Sequence, residues 1–144
     1  MNNKFKKVIS HFSEKQKMLF LIDGLGAFST AFVLYIIMPH SNDYFGMPES
    51  VLTYLSLIAI CFCIYSTVCF LILKSNWTPF IRIIGIANLL YCGLTIGLMI
   101  KYFSLLTIFD TIYFLVEIAI ICVLSYVEIN LTTELKKNIL IAKS

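Results

Sequence analysis

Charge is scarce in this sequence, and scarcest where the chain is most apolar. Asp, Glu, Lys and Arg make up 13% of the residues, against about 25% in soluble domains. That excludes an ordinary water-soluble fold. A disordered chain is excluded too, because 60% of the residues are hydrophobic and disorder requires the opposite balance. Histidine is equally sparse. His11 and His40 both fall outside the apolar runs, so neither a haem ligand pair nor a zinc set is expected, and no cofactor is expected. There is no CxxC motif. Cys61, Cys63, Cys69, Cys92 and Cys122 all lie within apolar runs, and an odd number so placed argues against a disulfide framework. They read as small apolar fillers. There is no basic patch of the kind that binds nucleic acid. Lys and Arg gather instead at the two ends and in one linker, which is a membrane-orientation pattern.

What is there is long apolar runs. A bilayer core takes about 20 apolar residues per helix, and four segments qualify: 18–38, 51–73, 79–100 and 107–129. The expected fold is an all-α integral membrane protein with four transmembrane helices in an up-down-up-down bundle. Residues 1–16 form a basic N-terminal arm, 17–129 the bundle and 130–144 a tail. In the arm, Phe5, Val8, Ile9 and Phe12 share one helical stripe flanked by lysines, as in a helix lying on anionic lipid. In the tail, Leu131, Leu135 and Ile139 recur at every fourth residue, so the fourth helix is expected to continue.

Helix starts are also legible. Ser13-x-x-Gln16 and Thr107-x-x-Asp110 have capping-box spacing. Pro48 is expected in the first turn of the second helix, and Thr78-Pro79 as N-cap and first helical residue of the third. Trp77, Tyr102 and Tyr126 fall near span ends, where an aromatic belt is expected.

Of the 11 Lys and Arg residues, only Lys101 lies on the opposite side from the other ten in this arrangement. The positive-inside rule then places both termini in the cytoplasm, in a plasma (cell inner) membrane protein. The first run is too long for a signal-peptide core and lacks an A-x-A site, so it is expected to stay as an anchor. Asn76 and Asn130 begin glycosylation sequons, but both face the cytoplasm in this topology and read as chance matches.

Against this apolar background three residues stand out: Asp23, Asn88 and Glu117. Ionisable residues within spans are rare and usually face the bundle interior. Asn88, Tyr91, Cys92 and Thr95 follow i, i+3, i+4, i+7 on the third helix, and Asp23 and Thr30 share a stripe on the first. Glu117 and Glu128 share a stripe on the fourth, about 16 Å apart along the axis, which puts Glu117 near the midplane and Glu128 at the aqueous boundary. Tyr65 joins from the second. The expected ligand- or proton-binding set is therefore Asp23, Glu117, Asn88, Tyr65, Tyr91 and Thr95, in one half of the bundle. No catalytic or metal residue is assigned.

No Lys, Arg or His lies deep in any span. The acids are then protonated, paired with a bound cation, or reached by water. Each option suits protons, cations or amines. One function class is thus a proton-linked carrier subunit for a small cationic or lipophilic ligand, needing a homodimer or larger membrane complex for a path. The alternative is a non-catalytic accessory or lipophile-binding protein, with the polar residues serving helix packing and an aromatic interior of Phe28, Tyr65, Tyr91 and Phe114. An intramembrane enzyme has the least support, since no nucleophile–base arrangement or phosphate loop is present.

Overall fold

The computed structural model describes the backbone of residues 3–41, 43–74 and 77–143, with side chains from 14 to 138 within these and at 140 and 141. The described residues are helices and short connections. Helix α1 spans Asn3–Phe32, α2 Glu49–Ile72, α3 Thr78–Lys101 and α4 Ile108–Lys143. All four contain a stretch long and apolar enough to cross a membrane. The protein is therefore a multi-pass membrane protein.

The first helix starts at Asn3, not at Ser13. Residues 3–23 contain neither Gly nor Pro, so nothing breaks the helix where the capping box was expected. Arm and first span share this one rod; the side chains of the expected Phe5, Val8, Ile9 and Phe12 stripe lie outside the described residues. Beyond Phe32 the rod continues through a π-helical turn, Val33–Ile37, into Met38–His40. Pro39 supplies the physical reason. It has no N–H to give the carbonyl four residues back, and its ring crowds that carbonyl. Widening the turn relieves this: Met38 N–H reaches back to Val33 O.

Two other starts differ by one position from expectation. Pro48 precedes α2 as its N-cap and accepts from Val51 N at 2.9 Å through its carbonyl. Trp77, not Thr78, caps α3, with Pro79 in the first turn and no side-chain cap bond. The start of α4 follows the capping box in full. Asp110 N donates to Thr107 Oγ1 at 3.2 Å, and Thr107 N donates to Asp110 Oδ2 at 3.0 Å.

The same cap fastens the connection between α1 and α2. Gly46 N donates to Asp110 Oδ2 at 2.7 Å, and Thr107 Oγ1 donates to Tyr44 O at 2.6 Å. Only glycine fits at 46, since a Cβ there would stand 1.7 Å from Leu105 O. This latch joins the 41–48 and 102–107 connections at one end of the bundle.

Packing is inverted relative to a soluble protein. The outside is apolar: Leu25, Tyr54, Leu71, Leu90 and Ile108 are exposed, as is Phe28, which therefore does not belong to the interior. The inside holds Asp23, Ser56, Ser66, Asn88, Thr95, Glu117, Ser125 and Glu128, all buried. Lipid cannot satisfy polar groups, so they turn toward one another. Trp77 is likewise buried. It packs on Phe20 at 5.9 Å between ring centroids, under the Lys17 ammonium, instead of standing in a lipid-facing belt.

Helix α1 packs along α2, and α3 along α4. The two pairs meet through a core of Leu34, Met38, Leu55, Tyr91 and Phe114. Between α1 and α4 direct contact is slight. That unfilled seam is where the site lies.

Candidate functional site

A cavity of 580 Å³ occupies the seam. Helix α1 supplies Ile22, Asp23, Gly26, Ala27, Thr30 and the π-turn residue Val33, while α4 supplies Tyr113, Val116, Glu117, Ile120 and Leu124. Phe62, Asn88 and Tyr91 close its floor from α2 and α3. A second cavity of 480 Å³ lies along the same seam toward the chain ends, lined by Lys15, Tyr126, Asn130 and Glu134. Leu19, Ile22 and Val127 border both. The two form one cleft that runs along α1 and α4.

Helical spacing places Asp23 and Thr30 on the same face, and that face meets the cleft. Gly26 lies between them, and a Cβ there would meet nothing within 4 Å. The width of the cleft beside Asp23 therefore depends on the absence of a side chain at 26.

Asp23 is fully partnered. Asn88 Nδ2 donates to Oδ1 at 2.7 Å, and Ser66 Oγ donates to Oδ2. Three helices thus converge on one carboxyl group. Glu117 is only half partnered. Tyr91 Oη donates to Oε1 at 3.3 Å and the Thr30 hydroxyl of α1 stands beside the carboxyl group, but Oε2 completes no hydrogen bond of good geometry. The residue is 7% exposed, so this bare oxygen is buried in the wall of an otherwise apolar cleft.

Of the six residues expected at the site, four line the cleft: Asp23, Asn88, Tyr91 and Glu117. Thr95 stands behind them, fully buried, donating to Tyr91 O at 2.9 Å and fixing that turn of α3. Tyr65 is elsewhere. Its hydroxyl donates to Phe80 O at 3.1 Å on an exposed edge, away from the cleft wall.

Three participants were not in the expected set. Ser66 had a readable signal: Asp23 lies about 8 Å from the start of its span and Ser66 about 10 Å from the end of its own, heights that match in a hairpin. Tyr113 follows from the α4 stripe only once the seam is known. Glu128 was placed at the aqueous boundary because the apolar run ends at 129. The helix itself runs on to Lys143, and on it Glu128 turns inward, 1% exposed.

Among the described residues no group of three or more His, Cys, Asp and Glu side chains could hold a metal ion. Chemically, the cleft offers an apolar channel with one hydrogen-bonded carboxyl group and one carboxyl group with a free acceptor. Comparison with protein-family models, with curated proteins and with solved structures yields no match.

Proposed function

We propose that this chain binds a lipophilic cation or amine in the seam between α1 and α4, as a subunit of a proton-linked carrier. One observation carries the reading: Glu117 Oε2 is buried without a partner beside a 580 Å³ cavity. A buried acceptor without a donor costs about 1–3 kcal/mol, and an ammonium group supplies the missing N–H. The apolar cleft wall accepts the rest of an amphiphile. No basic side chain of the chain itself lies deep in a span to compete. In this reading Glu117 carries a proton or a bound cation at neutral pH.

The protein sits in the plasma membrane with both termini cytoplasmic and the helices running up-down-up-down. The basic residues support this, ten of the 11 falling on one side. Four helices enclose a narrow path, so a homodimer or larger complex completes the carrier.

The experiment is equilibrium binding of a fluorescent long-chain alkylamine to the full chain in nanodiscs, against the alcohol of equal length. The amine is expected to bind more tightly than the alcohol in wild type and equally in Glu117→Gln. Equal affinity for amine and alcohol in wild type would sink the reading. It would favour the alternative, an accessory or lipophile-binding protein in which the polar groups serve packing. The full pairing of Asp23 across three helices supports that alternative.

A further inference from the structure

Glu128 lies outside the cleft, lining neither cavity. It is 1% exposed, and its Oε2 reaches no hydrogen-bond partner. The group fits a notch in α3: a Cβ on Gly85 would stand 3.2 Å from Oε2. One turn further along α3, Asn88 faces the Glu128 carboxyl group, and Asp23 of α1 is near enough to act on its charge. The Asn88 amide thus stands between two buried carboxyl groups.

We propose that Asp23 and Glu128 form a pair that holds one proton, resident on Glu128, while Asp23 is ionised. The hydrogen bonds divide the roles. Both Asp23 oxygens receive donors, from Asn88 and Ser66, as suits the charged form. Glu128 Oε2 receives none, and an ionised carboxylate there would be a second buried charge with a bare oxygen. Two like charges in one site resist joint ionisation. Asn88 gives one N–H to Asp23 and keeps a second N–H and an Oδ1 acceptor, so its amide can bond Glu128 in either state, and the bare Oε2 decides between them.

The charged surroundings are simple among the described residues. From α1 the facing group is Asp23. From α3 they are Gly85 and Asn88, both uncharged, and α2 contributes the Ser66 hydroxyl through Asp23. The occupant is a proton and not a metal ion. Neither cavity reaches Oε2, whereas calcium takes about 6–8 oxygen ligands.

Asp23 also lines the cleft, which connects the two sites. A cation arriving beside Asp23 offsets its field on Glu128 and eases release of the proton. By reciprocity, the proton on Glu128 weakens cation binding. This coupling rests on the amine reading above; the proton itself does not.

The test needs no amine. Infrared difference spectra of the full chain in nanodiscs at pH 7 compare wild type with Glu128→Gln and with Asp23→Asn. Glu128→Gln is expected to lose one protonated-acid band, and Asp23→Asn one carboxylate band. Loss of a carboxylate band in Glu128→Gln overturns the proposal. If either variant misfolds, carboxyl-13C glutamate in Glu117→Gln decides by solid-state NMR. One protonated glutamate signal is expected there, and none overturns the pair.

Discussion

Asn88 and Asp23 are 65 residues apart in sequence and joined by a 2.7 Å hydrogen bond. That bond links the α3–α4 pair to the α1–α2 pair at the bottom of the cleft. Its removal has a definite expected effect. Asn88→Leu takes the donor from Asp23 Oδ1 and leaves a buried acceptor unpaired, which costs about 1–3 kcal/mol. Denaturant titration in mild detergent should show that loss, and Asp23→Asn combined with Asn88→Leu should restore part of it. A single Leu variant as stable as wild type would mean that water or lipid replaces the bond.

The latch can be tested from both sides. Asp110→Ala removes the cap of α4 and the acceptor for Gly46, and cap loss alone costs about 0.5–2 kcal/mol. Gly46→Ala should be at least as damaging, because its Cβ would overlap a backbone carbonyl and not a movable side chain. Thermal unfolding of both variants checks the order. A fully stable Gly46→Ala would show that the two connections separate freely.

Gly26→Leu should fill the cleft without disturbing the fold. A Cβ at 26 meets nothing within 4 Å, so the added side chain projects into the seam beside Asp23. The melting temperature should stay within a few degrees of wild type, a ΔΔG under about 1 kcal/mol. Alkylamine binding should fall at least tenfold, about 1.4 kcal/mol. Unchanged amine affinity would place the ligand elsewhere.

The orientation rests on ten basic residues on one side. Single cysteines at positions 42 and 76, in a background without the five native cysteines, can be labelled with an impermeant maleimide on intact cells. Position 42 should react and position 76 should not. The reverse pattern would invert the bundle.

Much of this architecture was legible in the sequence because bilayer thickness leaves little freedom. Span lengths, the Thr107–Asp110 cap and the closeness of Asp23 to Asn88 all follow from counting residues and helical turns. Two kinds of feature did not. The first concerns what lies between helices: nothing in the spacing of α1 or α4 says that the pairs would leave that seam unfilled, or that Tyr65 would bond outward to Phe80. The second concerns where a helix ends. Hydropathy drops after Ile129, so Glu128 looked like a boundary residue. The helix continues, and its exposed face carries the polar residues while Glu128 turns inward. Pro39 shows a related gap. A proline near a helix end reads as a stop, whereas here it sets a π turn whose first residue, Val33, lines the cleft.

The latch and the seam together define how this molecule can deform. Gly46, Thr107 and Asp110 staple the two helix pairs at one rim, while α1 and α4 stand nearly free of each other along the rest of their length. Away from that rim the pairs are tied again, by Asn88 on Asp23 and by Phe20 against Trp77. The molecule is therefore bound like a book, its spine along those ties and its open edge between α1 and α4.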